Sequence, residues 1–280
     1  MTQAGRPWTF RIDREGWIVR STTLGERVLA ELGIRAAGEL CDRRHGLLVR
    51  DRPLRWTARL ETRGAGTCFL KAYLPGAGRE GRIHPRKAPA EVEFEALRSV
   101  AALGVEVPTP LLAAWTNRGG RGASFCLLAA MPGEGSLEDM LCGGGHRDEL
   151  ERWILGEVPP LLRRLHGAGL VHRDLYPGHL WLVRGLKGAP GLIDLARVRR
   201  RTRRAWIKDL ASLQAGLTPY VGEDLRARLL ERLLPAGAGR GLRRAVAAKA
   251  ARILRHAPRH DPPLVPPDRP GASSVSGGGA

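Results

Sequence analysis

The chain has 280 residues, 43% of them hydrophobic, enough for one large domain or for two smaller units sharing a cleft. No run approaches the roughly 18 uninterrupted apolar residues of a membrane span, and Met1 to Trp17 mix Arg, Asp and Glu without an apolar core, so a cytoplasmic protein is expected. The formal net charge of +18 favours anionic partners, whereas no aromatic-interleaved basic stripe or zinc-finger spacing points to nucleic acid.

In chain order, His45 to Arg50 and Trp56 to Arg63 read as strands. In the second, Trp56, Ala58 and Leu60 alternate with Thr57, Arg59 and Glu61, the period of a half-buried strand. Gly64-Ala65-Gly66 signals a hairpin into a third strand, Thr67 to Leu74, with Lys71 at its centre. Gly76 to Pro89 is a Gly-, Pro- and Arg-rich loop. Ala90 to Leu103 is predicted to be a helix with an apolar stripe of Val92, Ala96, Val100 and Leu103, stopped by Gly104. Strands follow at Leu111 to Trp115 and Phe125 to Met131. Pro132-Gly133-Glu134-Gly135 reads as a hinge, and Ser136 with Asp139 caps a short helix. Asp148 to His166 is helical in pattern, but Pro159-Pro160 should kink or split it. Helical segments at about 205–217, 222–234 and 241–256 precede a Pro-rich tail ending in Ser-Ser-Val-Ser-Gly-Gly-Gly-Ala. Cys41, Cys68, Cys126 and Cys142 are widely spaced and read as reduced packing residues.

Only five of the 46 basic residues are lysines, an arginine bias that a GC-rich genome would produce. A lysine inside an apolar strand therefore stands out. Lys71 either snorkels to solvent or meets an anion, and among Glu91, Glu93 and Glu95 the apolar stripe leaves Glu93 nearest the inward side of the following helix. Further on, Val171-His172-Arg173-Asp174-Leu175 leads into an apolar strand, and Leu192-Ile193-Asp194-Leu195 places a second acid twenty positions after Asp174. Kinase-like enzymes position two acids in this way, one to accept the proton of the attacking hydroxyl and one to hold Mg²⁺ on nucleotide phosphates. In that frame Lys71 and Glu93 would place the phosphates of ATP, Asp174 would be the base within His172-Arg173-Asp174, and Asp194 the metal ligand. His179 stands where protein kinases carry a metal-binding Asn. Imidazole suits Mg²⁺ poorly, which leaves three roles open: a weak metal or phosphate ligand, a positioner of Asp174, or a structural group.

Several protein-kinase features are missing. The turn Asp51-Arg52-Pro53-Leu54 has no glycine-rich motif, Tyr176 stands where Ser/Thr kinases carry Lys, and Asp194 precedes Leu195-Ala196 instead of Phe-Gly. Only fourteen positions separate Asp194 from Lys208, too few for a long activation loop, which favours a small or glycan acceptor.

These motifs resemble the lipopolysaccharide core kinases of the Kdo/WaaP family. The residues that carry the resemblance are His172-Arg173-Asp174-x-Tyr176-x-x-His179-x-Trp181 region, Ile193-Asp194-Leu195-x-Arg197, Lys208-Asp209-Leu210-Ala211, Phe69-Leu70-Lys71, Glu93-Phe94-x-Ala96-Leu97 and Leu165-His166-x-Ala168-Gly169, spanning about 45–215. The order of strands, one helix, strands, hinge and then helices reads as a β-rich nucleotide-binding lobe over 1–132 and a reduced helical catalytic lobe over 133–258, with a disordered tail over 259–280, and the resemblance implies that this α+β, two-lobed fold is protein-kinase-like. It implies ATP with Mg²⁺ as donor and an inner-core sugar, heptose or Kdo, as acceptor, at the cytoplasmic face of the inner membrane. It also implies that Asp209 anchors the catalytic loop. The run Arg199-Arg200-Arg201-x-Arg203-Arg204 suits an anionic glycolipid or membrane, and equally a solvated basic face. A protein or small-molecule kinase of the same fold, or a pseudokinase scaffold, are the alternative readings.

Overall fold

The computed structural model describes residues 8–41, 45–75, 87–116, 122–144 and 147–256. The stretch 76–86 of the expected loop and the tail 259–280 lie outside the described residues. Among those described, the chain is mixed α+β, with one large antiparallel sheet and several helices.

The sheet has seven strands: β1 (Trp8–Ile12), β2 (Trp17–Thr22), β3 (Leu47–Arg52), β4 (Arg55–Thr62), β5 (Gly66–Tyr73), β6 (Thr109–Thr116) and β7 (Ser124–Ala129), in the order β1-β2-β6-β7-β5-β4-β3. Alternation in β4 sends Trp56, Ala58 and Leu60 into the core. The central strands β6 and β7 are covered on both faces, which is why Leu111 to Trp115 and Phe125 to Leu128 are apolar without alternation. Helix α1 (Thr23–Glu31) closes one face. Thr22 caps it by accepting from Gly25 N–H and itself donates to the Leu111 carbonyl. A Cβ at Gly25 would lie 2.2 Å from that carbonyl oxygen, so only glycine lets the helix approach β6 this closely.

Helix α2 (Pro89–Ala101) packs on the other face, entered through Pro89 in its first turn, where a missing N–H costs nothing. From here the core is continuous. Tyr73, Leu97 and Leu128 belong to the same buried cluster as Leu165, Leu192 and Leu213 of the helical half.

That half comprises α3 (Leu137–Gly143), α4 (Arg147–Gly167), β8 (Leu170–Val171), β9 (Leu180–Trp181), β10 (Val183–Leu186), β11 (Gly191–Leu192), β12 (Arg199–Arg200), α5 (Arg203–Leu217), α6 (Glu223–Leu233) and α7 (Arg240–Arg255). A full capping box of Ser136 and Asp139 opens α3. The segment expected as a hinge is fastened: Glu134 N–H donates to Leu182 O, Leu182 N–H to Gly135 O, and Trp181 Nε1 to Pro132 O.

Of the kink or split expected at Pro159-Pro160, the split does not occur: α4 is one element of 21 residues. Pro159 cannot supply the N–H that Leu155 O would accept. Arg232 of α6 supplies it instead, its guanidinium 2.9 Å from that oxygen, while Val158, Leu161, Leu162 and Leu165 stay buried along the helix. The cysteines also need correction: Cys68 and Cys126 are buried, but Cys41 and Cys142 are exposed, so packing accounts for two of the four. Among the described residues no helix is long and apolar enough to cross a membrane.

Candidate active site

Lys71 leaves the middle of β5 on the face covered by α2. Its ammonium lies 2.5 Å from Glu93 Oε1, and Tyr73 donates to the other carboxylate oxygen at 2.9 Å. Glu93 is fully buried, so both its oxygens are satisfied by groups from β5. Burial pulls the Lys71 pKa down, but Glu93 and then Asp194 more than offset it, and the amine is held above its ordinary range. Because α2 also packs on the turn 195–197, the Lys71 ammonium comes within 3.5 Å of Asp194 Oδ1. Arg55, the first residue of β4, approaches the same oxygen at 3.6 Å. Burial pushes the Asp194 carboxyl up, while Lys71, His179 and Arg55 pull it down more strongly, so it is held well below the usual carboxylate range. Asp194 itself has a left-handed backbone, φ 56°.

The second acid sits on a clamped loop. Asp209 of α5 is fully buried, and its carboxylate accepts from His172 N–H at 2.7 Å, Arg173 N–H at 2.5 Å and His166 Nε2 at 3.1 Å. These bonds hold Arg173 at φ 68°, a conformation that L residues rarely adopt, and the chain then delivers Asp174 with its side chain partly exposed. Arg197 NH1 lies 3.4 Å and Lys208 Nζ 3.8 Å from Asp174 Oδ1, and Lys208 also donates to the Arg173 carbonyl.

His179 joins the two acids. Its Nδ1 lies 2.5 Å from the Asp174 carbonyl, which can only accept, so Nδ1 carries a proton, and Nε2 faces Asp194 Oδ2 at 3.8 Å. The ring stacks on His172, whose Nε2 donates to Ile193 O. Burial and then the neighbouring His179 hold the His172 pKa below its ordinary value, and its Nδ1 is buried without a hydrogen-bond partner.

The family model for the lipopolysaccharide kinase (Kdo/WaaP) family matches residues 82–232, more than half of the chain. The chain belongs to this family. Two curated relatives, each described as a 3-deoxy-D-manno-octulosonic acid kinase, come from Xylella fastidiosa strains M23 and Temecula1. Each is 29% identical over 106 residues, covering 35% of this chain and 41% of the relative. The chain thus spans about two fifths of the length of the curated relatives it matches.

The Kdo/WaaP match includes Glu93, Asp174, His179, Asp194 and Asp209 but begins after Lys71. For Lys71 the structure supplies what the match does not, by placing it against Glu93 and Asp194. The arginine run is less uniform than its sequence. Arg199 and Arg200 pair with Val171 and Leu170 in the β12–β8 ladder. Arg201 is occupied, donating to His166 O and lying over Trp206 at 4.8 Å. Arg200, Arg201, Arg203 and Arg204 are all exposed, and Arg204 is close enough to Lys249 of α7 to help lower that lysine's pKa, after burial and Arg252.

Three site residues were not singled out from the sequence: Arg55, Arg197 and Lys208. Arg197 and Lys208 lay inside quoted motifs without a role. Arg55 carried no signal, since the strand was read as beginning at Trp56 and the structure starts it one residue earlier. Among the described residues no group of three or more His, Cys, Asp or Glu could hold a metal ion. A Mg²⁺ ion fits the donor set only in the manner usual for nucleotide sites, with one carboxylate from Asp194 and the remaining oxygens from phosphate and water.

Proposed function

We infer that this Kdo/WaaP family member is an ATP-dependent kinase that phosphorylates a sugar hydroxyl, heptose or Kdo, of a lipopolysaccharide inner core. The observation that carries the reading is the convergence of the Lys71–Glu93 pair on Asp194, with Asp174 presented nearby on a loop clamped by Asp209. The architecture supports a two-lobed kinase-like arrangement, with a β-rich lobe over 1–132 and a helical lobe over 133–258. The description of both curated relatives as 3-deoxy-D-manno-octulosonic acid kinases favours Kdo among the acceptors.

In this reading Lys71, oriented by Glu93, holds nucleotide phosphates through a charge-assisted contact. Asp174 accepts the proton of the attacking hydroxyl, and needs position more than a raised pKa because the transition state is loose. Asp194 would hold Mg²⁺, which neutralises phosphate charge when bound. His179, with its proton committed to the Asp174 carbonyl, keeps the base loop and Asp194 in register. Arg197 and Lys208 place positive charge beside Asp174, where the transferred group must pass. The exposed Arg200, Arg203 and Arg204, continued by Lys249 and Arg252, would attract an anionic glycolipid at the inner membrane's cytoplasmic face, with the protein a peripheral visitor.

The test is incubation of the full chain with radiolabelled ATP and a panel of acceptors that includes dephosphorylated core glycolipid, free Kdo and generic protein substrates. Label should enter the glycolipid, and Asp174→Asn should cut transfer by at least about a hundredfold, the scale of a positioned base, while retaining ATP binding. Efficient labelling of protein with every glycolipid ignored would replace this reading with that of a protein kinase. ATP binding without transfer to any acceptor would favour a pseudokinase scaffold.

A further inference from the structure

The turn that joins β3 to β4 is closed by the pairing of Arg52 with Arg55 across Pro53-Leu54, and it contains no glycine. A backbone cradle for phosphate needs amides that can approach the ligand closely, which glycine permits and side chains obstruct. The sheet offers a replacement. Arg55 pairs with Tyr73, and Thr57 with Lys71, so in this antiparallel ladder Arg55 and Lys71 stand on one face of β4 and β5, two positions apart along the strand. Both point at Asp194 Oδ1, at 3.6 and 3.5 Å. The Arg55 guanidinium is held over the Tyr73 ring at 5.1 Å, and Tyr73 is fixed in turn by its hydrogen bond to Glu93. The side chain is therefore ordered before any ligand arrives, and only 19% exposed. At 3.6 Å its contact with Asp194 is an ion pair beyond ordinary hydrogen-bond length, which a closer anion can displace.

We propose that Arg55 is a second nucleotide-phosphate ligand, a side-chain substitute for the glycine-rich turn, which exchanges Asp194 for phosphate oxygens when nucleotide enters. The planar guanidinium can take two oxygens at once, which Lys71 cannot do. The proposal rests on the kinase reading. It goes beyond it in assigning to β4 the selectivity for the number of phosphates.

The experiment compares the affinities of adenosine, AMP, ADP and ATP for the full chain, its Arg55→Met variant and its Arg55→Lys variant, with Mg²⁺ present. Met keeps an unbranched stem against Tyr73, and near-UV circular dichroism checks that each variant is folded. The Met variant should bind ADP and ATP about 10- to 100-fold more weakly, the range for loss of a hydrogen bond to a charged group, and adenosine within about twofold of wild type. The Lys variant should recover part of the loss. Equal affinities of wild type and the Met variant for ATP, or tighter binding by the variant, would show that Arg55 only restrains Asp194 and would overturn the proposal. So would a uniform loss across all four ligands, which marks a structural role through Tyr73. Wild-type protein that binds adenosine and ATP equally well also overturns it, and wild-type protein that binds no nucleotide removes the kinase reading together with it.

Discussion

Lys208 Nζ stands 3.8 Å from Asp174 Oδ1 and donates to the carbonyl of Arg173, the residue before that acid. A cation on α5 thus reaches the place that Tyr176 leaves without a lysine in the loop itself. Burial lowers the Lys208 pKa and Asp174 opposes the shift, so the two charges depend on each other. Lys208→Met should reduce phosphoryl transfer about tenfold or more while leaving the dissociation constant for ATP near wild type, since charge beside the transferred group acts in the transition state. Steady-state kinetics with a direct nucleotide titration checks this. A variant that loses ATP affinity and keeps kcat would assign Lys208 to ground-state binding.

Asp194 and His179 should differ in their effect on metal dependence. Asp194→Ala removes the carboxylate that suits Mg²⁺, and MgATP should then bind no better than metal-free ATP. His179→Ala should weaken binding only in part, because its imidazole acts through the Asp174 carbonyl. Titrations with and without Mg²⁺ decide the matter, and equal, total losses in the two variants would make His179 a full ligand.

The folded protein should lose stability on mild acidification. His172 is buried, with its pKa held below the ordinary 6.5, so the unfolded chain binds the proton more readily than the folded one. The stabilisation is fully present above about pH 6.5, the unfolded value, and is lost as pH falls through the depressed folded value. Melting temperature should therefore drop between about pH 7.5 and pH 5.5. In His172→Gln, which keeps a donor toward Ile193 O, that slope should flatten. An unchanged slope would place the titration on another group.

Replacing Arg200, Arg203 and Arg204 together with Ser should raise the apparent KM for an anionic glycolipid and spare that for ATP. Arg201 is left in place because it braces His166 O and Trp206. Transfer to vesicle-borne acceptor should fall as salt rises past about 0.1 M, where the Debye length is roughly 10 Å, and transfer to a neutral soluble acceptor should change little. Parallel salt curves for both acceptors would show that the cluster is only a solvated face.

The strands around Lys71 were legible because each buries one side. The alternation of Trp56, Ala58 and Leu60 survives in the structure, and the stripe on α2 correctly put Glu93 inward. The first two strands and α1 escaped notice, since Trp17 to Thr22 mixes apolar and polar residues over only six positions before the helix begins. The helix is not split at Pro159, and the sequence could not show why, because the compensating donor, Arg232, comes from 73 positions further along the chain. The same long-range logic hid Arg55, Arg197 and Lys208. In a chain this rich in arginine, residue type says little, and only the fold shows which guanidinium meets a carboxylate. The clamp at Asp209 was accessible through the family resemblance, whereas its three donors became visible only once α5 was set beneath the loop.

Arg173 combines a left-handed backbone with a buried Nε that has no hydrogen-bond partner among the described residues. The first costs about 1–2 kcal/mol for a non-glycine residue, and the second adds a donor that burial has taken from water. Glycine at this position would remove both penalties and loosen the peptide that presents Asp174. Heat resistance and turnover therefore pull in opposite directions at a single codon. A library selected for thermal survival alone should accumulate glycine at 173, and its hardiest members should be its slowest.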